Sequence, residues 1–170
     1  MFESNDLIIY QSEGVCRVLG MEELDMMRDG RKKSYYVLSP LKNPNSKIYS
    51  PMDNSKLSLR KIMTPDEVTK LLKEIPECEL LWIDNEKQRE SVYKSAVKST
   101  ECKEWIRIIR TVYQRKKNRI ASGKKMTATD ERYFKIAKAL LYEELAVVLG
   151  KEESEMEEYL IRYLSDEASK

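Results

Sequence analysis

Histidine is absent from the 170-residue chain, and glycine occurs only five times. The absence of histidine excludes Ser-His-Asp and Cys-His nucleophile systems, and also zinc sites with histidine ligands. No glycine lies in a GxxxxGK[ST] or GxGxxG phosphate-binding motif. The 29 acidic residues lie mostly beside Lys and Arg on predicted helix faces, which is typical of a solvated surface. We therefore expect a protein that is not an enzyme and that needs neither a cofactor nor a metal ion.

Long apolar runs are also missing, since none approaches the roughly 20 residues that a membrane span needs. The start of the chain, MFESNDLIIY, lacks the basic and apolar regions of a signal peptide. Cys16, Cys78 and Cys102 are widely spaced and form no CxxC pair, so we expect reduced structural thiols. These features predict a cytoplasmic protein that does not associate with membranes.

Up to about Ile62 the sequence has the pattern of short strands separated by turn residues. The predicted strands are DLIIY (6–10), GVCRVLGM (14–21), SYYVLS (34–39), KIYS (47–50) and LSLRKI (57–62). Asn43-Pro44-Asn45 is one of the predicted turns between them. The pattern predicts a small antiparallel β-barrel module over residues 1–62.

From Thr64 the apolar period becomes helical. Thr64 is a good N-cap, Pro65 suits the first helical turn, and Pro76 ends the first helix. Four further helices are predicted at about 84–98, 105–119, 127–150 and 152–164. The expected architecture is therefore α+β, with an all-α bundle of about five helices over residues 63–170.

Charge is unevenly distributed although the net charge is only +2. Between Trp105 and Lys125 there are eight basic residues and no acidic one, whereas nine acids and three bases follow from Glu143 onward. The basic segment predicts a surface that binds phosphate without reading the base sequence. The alternative is an ordinary solvated helix face.

The two tryptophans lie in different contexts. Trp105 falls on an apolar stripe with Ile106, Ile109, Val112 and Tyr113 and is predicted to be core. Trp82 follows two leucines, so it could pack in the bundle or between the two domains. It also stands near cations, which suits an exposed ring inserted at a DNA base step.

In the β half, exposed strand edges are suited to protein docking. Met26 and Met27 lie in a turn region, where they could contact a partner or fill an irregular hole.

The order of several segments resembles the CarD/CdnL family of bacterial transcription regulators. These segments are FESNDLIIYQSEGVCRV, YYVLSP, LRKI, the lone Trp82, EWIRIIRTVYQRKK and MTATDERYFKIAKALLYEEL, and together they span roughly residues 2–149. The resemblance implies an N-terminal Tudor-like domain that docks on the β-subunit lobe of RNA polymerase. It also implies a helical domain that contacts promoter DNA at the upstream edge of the transcription bubble.

Trp82 corresponds to a family tryptophan that wedges into the minor groove and stabilises the promoter open complex. The predicted DNA-binding residues are Trp82, Lys87, Arg89, Arg115, Lys116, Lys124 and Lys125. The predicted polymerase-binding residues are Met26, Met27, Arg28, Lys47, Tyr49 and Pro51.

Three departures from the family pattern concern these sites. Asp84 stands where family members can carry a basic residue, and Tyr49-Ser50-Pro51 stands where they often carry Arg before Val-Pro. The turn Met26-Met27-Arg28 corresponds to the family pattern only with an insertion. We expect a monomer that meets the nucleoid through RNA polymerase and touches promoter DNA without sequence specificity. The alternatives are a protein-interaction adaptor without a DNA wedge and a free-standing, non-specific nucleic-acid-binding protein.

Overall fold

The computed structural model describes residues 1–169 of the chain. It divides into two compact units, Met1–Ile62, called the β domain, and a helical domain that begins at Met63. Five antiparallel strands precede five α-helices, so the predicted α+β fold class is confirmed.

The β domain is one antiparallel sheet. Its strands are β1 (Leu7–Tyr10), β2 (Val15–Leu24), β3 (Lys33–Pro40), β4 (Ile48–Pro51) and β5 (Leu59–Lys61). They lie in the order β4-β3-β2-β1-β5, which makes β4 and β5 the outer strands of this sheet. β2 is longer than its apolar pattern predicts because Glu22 and Glu23 continue the pairing with β3.

The core of the β domain is formed by inward side chains of the three central strands. Its buried members are Ile8, Cys16, Val18, Tyr36 and Leu38. A bulge shifts the register of β2 against β3 between Val18 and Gly20. Bulges increase local twist and bend a strand, so we expect β2 to bend at this position.

The helical domain contains α1 (Pro65–Glu74), α2 (Glu86–Lys98), α3 (Cys102–Ala121), α4 (Ala128–Leu149) and α5 (Met156–Ala168). Thr64 caps α1 in a complete capping box with Glu67, and Thr127 Oγ1 accepts from the backbone N–H of Asp130 in α4. Gly150 ends α4 in the left-handed conformation (φ 63°), which glycine adopts at low cost. The predicted N-cap at Thr64 and the predicted limits of α4, about 127–150, are confirmed.

The core of the helical domain contains the second tryptophan, as predicted. Trp105 is fully buried, and its indole N–H donates to the carbonyl of Val97 at 3.3 Å. Tyr113 was predicted to lie on the same stripe, and that prediction is wrong. Its ring is 55% exposed and carries the ammonium of Lys117 at 4.9 Å from its centroid.

In the residues that the structure describes, no helix is long and apolar enough to cross a membrane. Among the same residues no two cysteines form a disulfide, and Cys16 and Cys102 are buried.

Candidate functional site

Trp82 lies on the surface, in the segment that joins α1 to α2. Its side chain is 88% exposed, so the interpretation of Trp82 as a core residue of the bundle is wrong. The indole N–H donates to Asp84 Oδ1 at 2.6 Å, and Asp84 is itself exposed. The ring therefore faces solvent and has its single polar group bonded to a carboxylate.

Three side chains of α3 hold the backbone that leads to Trp82. The Arg110 guanidinium donates to the carbonyl oxygens of Ile75 (2.9 Å), Pro76 (3.2 Å) and Cys78. Arg107 Nε donates to the carbonyl of Glu79 at 3.2 Å, and Thr111 Oγ1 accepts from the Leu81 N–H at 2.8 Å. We call residues 78–85, a segment with no regular structure of its own, the Trp82 loop. The bonds satisfy backbone groups of this loop and of the turn just before it. The exposed Trp82 ring is thus attached to a backbone segment that side chains of α3 hold in place.

Beyond Trp82, the loop passes directly into α2. Asn85 is the N-cap of this helix, and its Oδ1 accepts from the Lys87 N–H at 2.9 Å. Glu86 lies in the first turn, where a carboxylate interacts favourably with the helix dipole.

Glu86 belongs to a closed ring of hydrogen-bonded polar side chains, the ring network, which joins α2, α3 and α4. Its carboxylate accepts from Arg89 Nε (3.1 Å) and Arg115 Nη1 (3.0 Å). Arg89 Nη1 donates to the Tyr93 hydroxyl at 3.2 Å, and that hydroxyl donates to Asp130 Oδ1 at 2.8 Å. Arg115 Nε donates to Asp130 Oδ2 at 2.9 Å, which completes the ring. The network ties the start of α2, and hence the end of the Trp82 loop, to the bundle.

The network changes the ionisation of its members. Burial raises the pKa of Tyr93 to about 12. The hydrogen bond to Asp130 also raises this pKa, whereas the bond from Arg89 lowers it. The hydrogen bond from Arg89 lowers the pKa of the exposed Glu86 carboxyl. Burial alone would lower the pKa of Arg89, but the bonds to Glu86 and Tyr93 outweigh it and raise that pKa. Tyr93 is therefore neutral, and Glu86 and Arg89 are charged, at neutral pH.

Two of the predicted DNA-binding cations belong to this network. Arg89 is only 6% exposed, and its guanidinium donates to Glu86 and Tyr93, so little of its charge faces solvent. The Arg115 side chain is 21% exposed and lies between two carboxylates. A basic run without acids in the sequence thus receives acids from other helices, and Arg115 is left with little free positive charge.

Four other predicted DNA-binding cations lie on the surface. Lys87, Lys116, Lys124 and Lys125 are exposed, and none forms an ion pair with another described residue. Lys87 follows the Trp82 loop in the first turn of α2, whereas Lys124 and Lys125 follow the end of α3. Their ammonium groups are available for phosphate, and their role in DNA binding stays a prediction.

Of the predicted polymerase contacts, Tyr49 and Pro51 lie on the outer strand β4. Tyr49 pairs with Val37 and Pro51 with Tyr35, while the Met52 N–H donates to the Ser34 carbonyl. Hydrogen-bonded and non-bonded pairs alternate along an antiparallel ladder. The backbone N–H and C=O of Tyr49 therefore point away from β3, and Pro51 offers only a carbonyl on that side.

The remaining predicted polymerase contacts lie at or beside strand ends. Met26, Met27 and Arg28 are exposed in the β2–β3 hairpin loop, and Lys47 is exposed just before β4. The hairpin loop closes around the Asp25 carboxylate, which accepts from the backbone N–H groups of Asp29 and Gly30. Because Met26 and Met27 are both exposed, they do not fill a hole in the core.

Sequence reasoning missed the residues that support Trp82, namely Asp84, Arg107, Arg110 and Thr111. The three α3 residues lie within one turn of each other, so they share a helix face. Nothing local indicates that this face meets an irregular segment 30 residues earlier, since that segment has no periodicity. Asp84 stands two residues from Trp82, but its sequence position suggested only a weaker DNA contact.

Comparison with known proteins bears on the β domain. No curated protein matches the chain. Residues 2–63 match the family model described as CarD-like/TRCF RID domain. This match covers the whole five-stranded sheet, including the outer strand β4 and the hairpin loop with Met26 and Met27. The β domain is therefore similar to the CarD-like/TRCF RID domain, and this match supports a family of RNA polymerase-interacting transcription factors.

Proposed function

We propose that the protein is a non-enzymatic transcription regulator that stabilises the promoter open complex. The β domain docks on the β-subunit lobe of RNA polymerase, and the helical domain contacts DNA at the upstream edge of the bubble. Trp82 enters the minor groove there, while exposed lysines bind phosphate. The protein acts in the cytoplasm, as a monomer, wherever polymerase occupies a promoter.

The exposure of Trp82 on a held loop is the observation that carries this proposal. A ring that is 88% exposed makes little contribution to the stability of its own domain. The bonds from Arg107, Arg110 and Thr111 fix the backbone before binding, which lowers the entropy that a wedge would lose on insertion. An exposed, pre-ordered aromatic, followed five residues later by the exposed cation Lys87, suits insertion at a distorted base step.

The outer strand β4 supports the docking half of the proposal. Its outward Tyr49 N–H and C=O can pair with an edge strand of a partner, a mode in which the backbone supplies the affinity. The adjoining side chains differ from the usual Arg of the family, so docking here depends on the strand edge more than on charge.

Docking on polymerase raises the local concentration of the helical domain at the promoter, so its own DNA affinity can stay low. If Trp82 binds only when the step is opened, its binding shifts the equilibrium toward the open state. A tenfold gain in open-complex stability requires about 1.4 kcal/mol of differential binding. Burial of one large apolar side chain supplies roughly 1.5–3 kcal/mol.

The test is the lifetime of a promoter open complex with wild-type protein, with Trp82→Ala and with no added protein. We expect Trp82→Ala to lose most of the added lifetime, about tenfold, while polymerase binding stays unchanged. Ile161→Ala is the matched control, because Ile161 is also an exposed apolar residue but lies on the acidic helix α5.

Each alternative predicts a different result. A protein-interaction adaptor without a wedge would leave the lifetime equal for wild type and Trp82→Ala. A free-standing nucleic-acid binder would bind DNA tightly without polymerase, and its effect would persist after the β4 edge is blocked.

A further inference from the structure

The indole N–H of Trp82 has one partner, the carboxylate of Asp84. The 2.6 Å distance is short for an N–H···O bond, as expected when the acceptor is charged. An indole has a single donor and no acceptor, so this bond uses the whole polar capacity of the ring. The bond is exposed to water, and its main effect is therefore on the direction of the ring rather than on the stability of the domain.

Asp84 is available for this role because the next residue caps the helix. An Asp before a helix commonly accepts the first free backbone N–H groups. Here Asn85 Oδ1 accepts from Lys87 N–H, and Asp84 contributes nothing to the cap. Within the described chain the Asp84 carboxylate has no ion pair, so its charge is not neutralised at the surface where Trp82 stands.

We infer that Asp84 is a positioning residue that orients the Trp82 ring through this bond and whose charge limits the affinity of the ring's surface for DNA. The second half of the inference rests on the proposed function. The bond narrows the directions that the indole can take, which favours insertion. The carboxylate repels nearby phosphates, which opposes the same insertion. This combination suits a contact that forms only when the protein is docked on polymerase. The free protein then has low affinity for DNA elsewhere.

Two substitutions separate the bond from the charge. Asp84→Asn removes the charge and keeps an oxygen that can accept from the indole. Asp84→Ala removes both. Each is made in the full chain with Trp82 present and again in a Trp82→Ala background, so that a double-mutant cycle isolates what acts through the ring.

The orienting bond is measured by NMR on the full chain. The chain has two tryptophans and hence two indole N–H signals, and Trp82→Phe identifies the one from Trp82. In Asp84→Ala we expect the Trp82 signal to move and its exchange with water to accelerate, whereas Asp84→Asn keeps it near the wild-type position. The Trp105 signal, bonded to Val97 inside the core, serves as the internal reference.

The effect on DNA is measured as affinity for a synthetic bubble DNA without polymerase. Asp84→Asn should bind about threefold more tightly than wild type at low salt, and the gain should vanish at high salt. Asp84→Ala should bind roughly threefold to tenfold more weakly than Asp84→Asn. In the Trp82→Ala background the two variants should bind equally.

An unmoved Trp82 signal in Asp84→Ala would overturn the orienting role. Equal affinities of Asp84→Asn and wild type would overturn the role of the charge. These outcomes differ from a failure of the proposed function, which appears only as an open-complex lifetime that ignores Trp82. In that case a moved indole signal would still establish the orienting bond.

Discussion

The two domains present their candidate contacts by different means. In the β domain the outward feature of β4 is backbone, the N–H and C=O of Tyr49, and an apolar cluster centred on Leu38 supports the sheet. In the helical domain the outward feature is one side chain, Trp82. It is supported by side-chain bonds from α3 and by the ring network through Asp130.

This difference determines how far each contact can be changed by substitution. Backbone groups at a strand edge persist when side chains vary, so we expect the β domain to tolerate changes of the side chains on β4. A tryptophan on an irregular loop depends on several particular side chains, and losing any one of them changes its geometry. We expect the helical domain to be the more sensitive of the two to single substitutions.

Asp130→Ala should have the largest effect, a loss of stability, because it disrupts the ring network of the helical domain. Asp130 is fully buried and accepts from Tyr93 and Arg115, so its removal leaves the Arg115 charge with one exposed partner, Glu86. We expect a loss of about 3–5 kcal/mol in the free energy of unfolding. Urea unfolding monitored by the fluorescence of the buried Trp105 measures it.

Glu131→Ala is the control for that experiment. Glu131 is the next residue on α4, is exposed, and pairs only with Lys135 one turn later, so its removal should cost under about 0.5 kcal/mol. A loss below about 1 kcal/mol for Asp130→Ala would mean that the ring network contributes little to the bundle.

Arg110→Ala should have a smaller and more local effect. It removes charge-assisted bonds to the carbonyls of Ile75, Pro76 and Cys78, worth roughly 1.5–3 kcal/mol in holding that segment. We expect faster amide hydrogen exchange in the Trp82 loop and a shorter open-complex lifetime, although Trp82 itself is intact. Lys135→Ala removes an exposed cation of α4 that lies outside the basic segment and pairs with Glu131, so it should change neither measurement.

If Arg110→Ala leaves hydrogen exchange unchanged, the loop keeps its conformation without α3. Trp82 would then be presented by its immediate neighbours alone.

Tyr49→Pro should have the smallest effect and tests whether polymerase binding uses the backbone edge of β4. Proline removes the outward N–H of Tyr49 but no bond to β3, and outer strands tolerate proline at such a position. We expect polymerase binding to weaken about tenfold, measured by titration against purified polymerase. Tyr49→Ala removes the same ring and keeps the N–H, so it should bind more tightly than Tyr49→Pro. Equal affinities would show that the strand edge is not the docking element.

Most of the fold could be predicted because its elements carry local signals. Strands alternate or cluster β-branched residues, and Thr64, Thr127 and Gly150 mark helix boundaries whatever lies around them. Apart from the exposed Tyr113, the errors are at element boundaries and have local causes. α2 begins two residues later than predicted because Asn85, rather than a residue further upstream, provides the cap.

The candidate site could be predicted only in part, because its contacts join segments far apart in sequence. Counting charge along α3 predicts a free basic face, yet Glu86 and Asp130 reach Arg115 from helices 29 and 15 residues away. The sequence also does not decide whether Trp82 is buried or exposed, since the two preceding leucines favour burial. Leu80 is in fact 41% exposed, so the apolar run LLW does not enter the core as a unit.

Pro51 has a consequence for how the chain behaves at high concentration. An outer strand with a full row of N–H donors can pair with the same strand of another copy and start aggregation. On the outward side of β4, Tyr49 provides a donor and Pro51 provides none, so that row is interrupted after one group. With one outward donor, this edge is less able to extend into a sheet of identical copies than an edge with a full row.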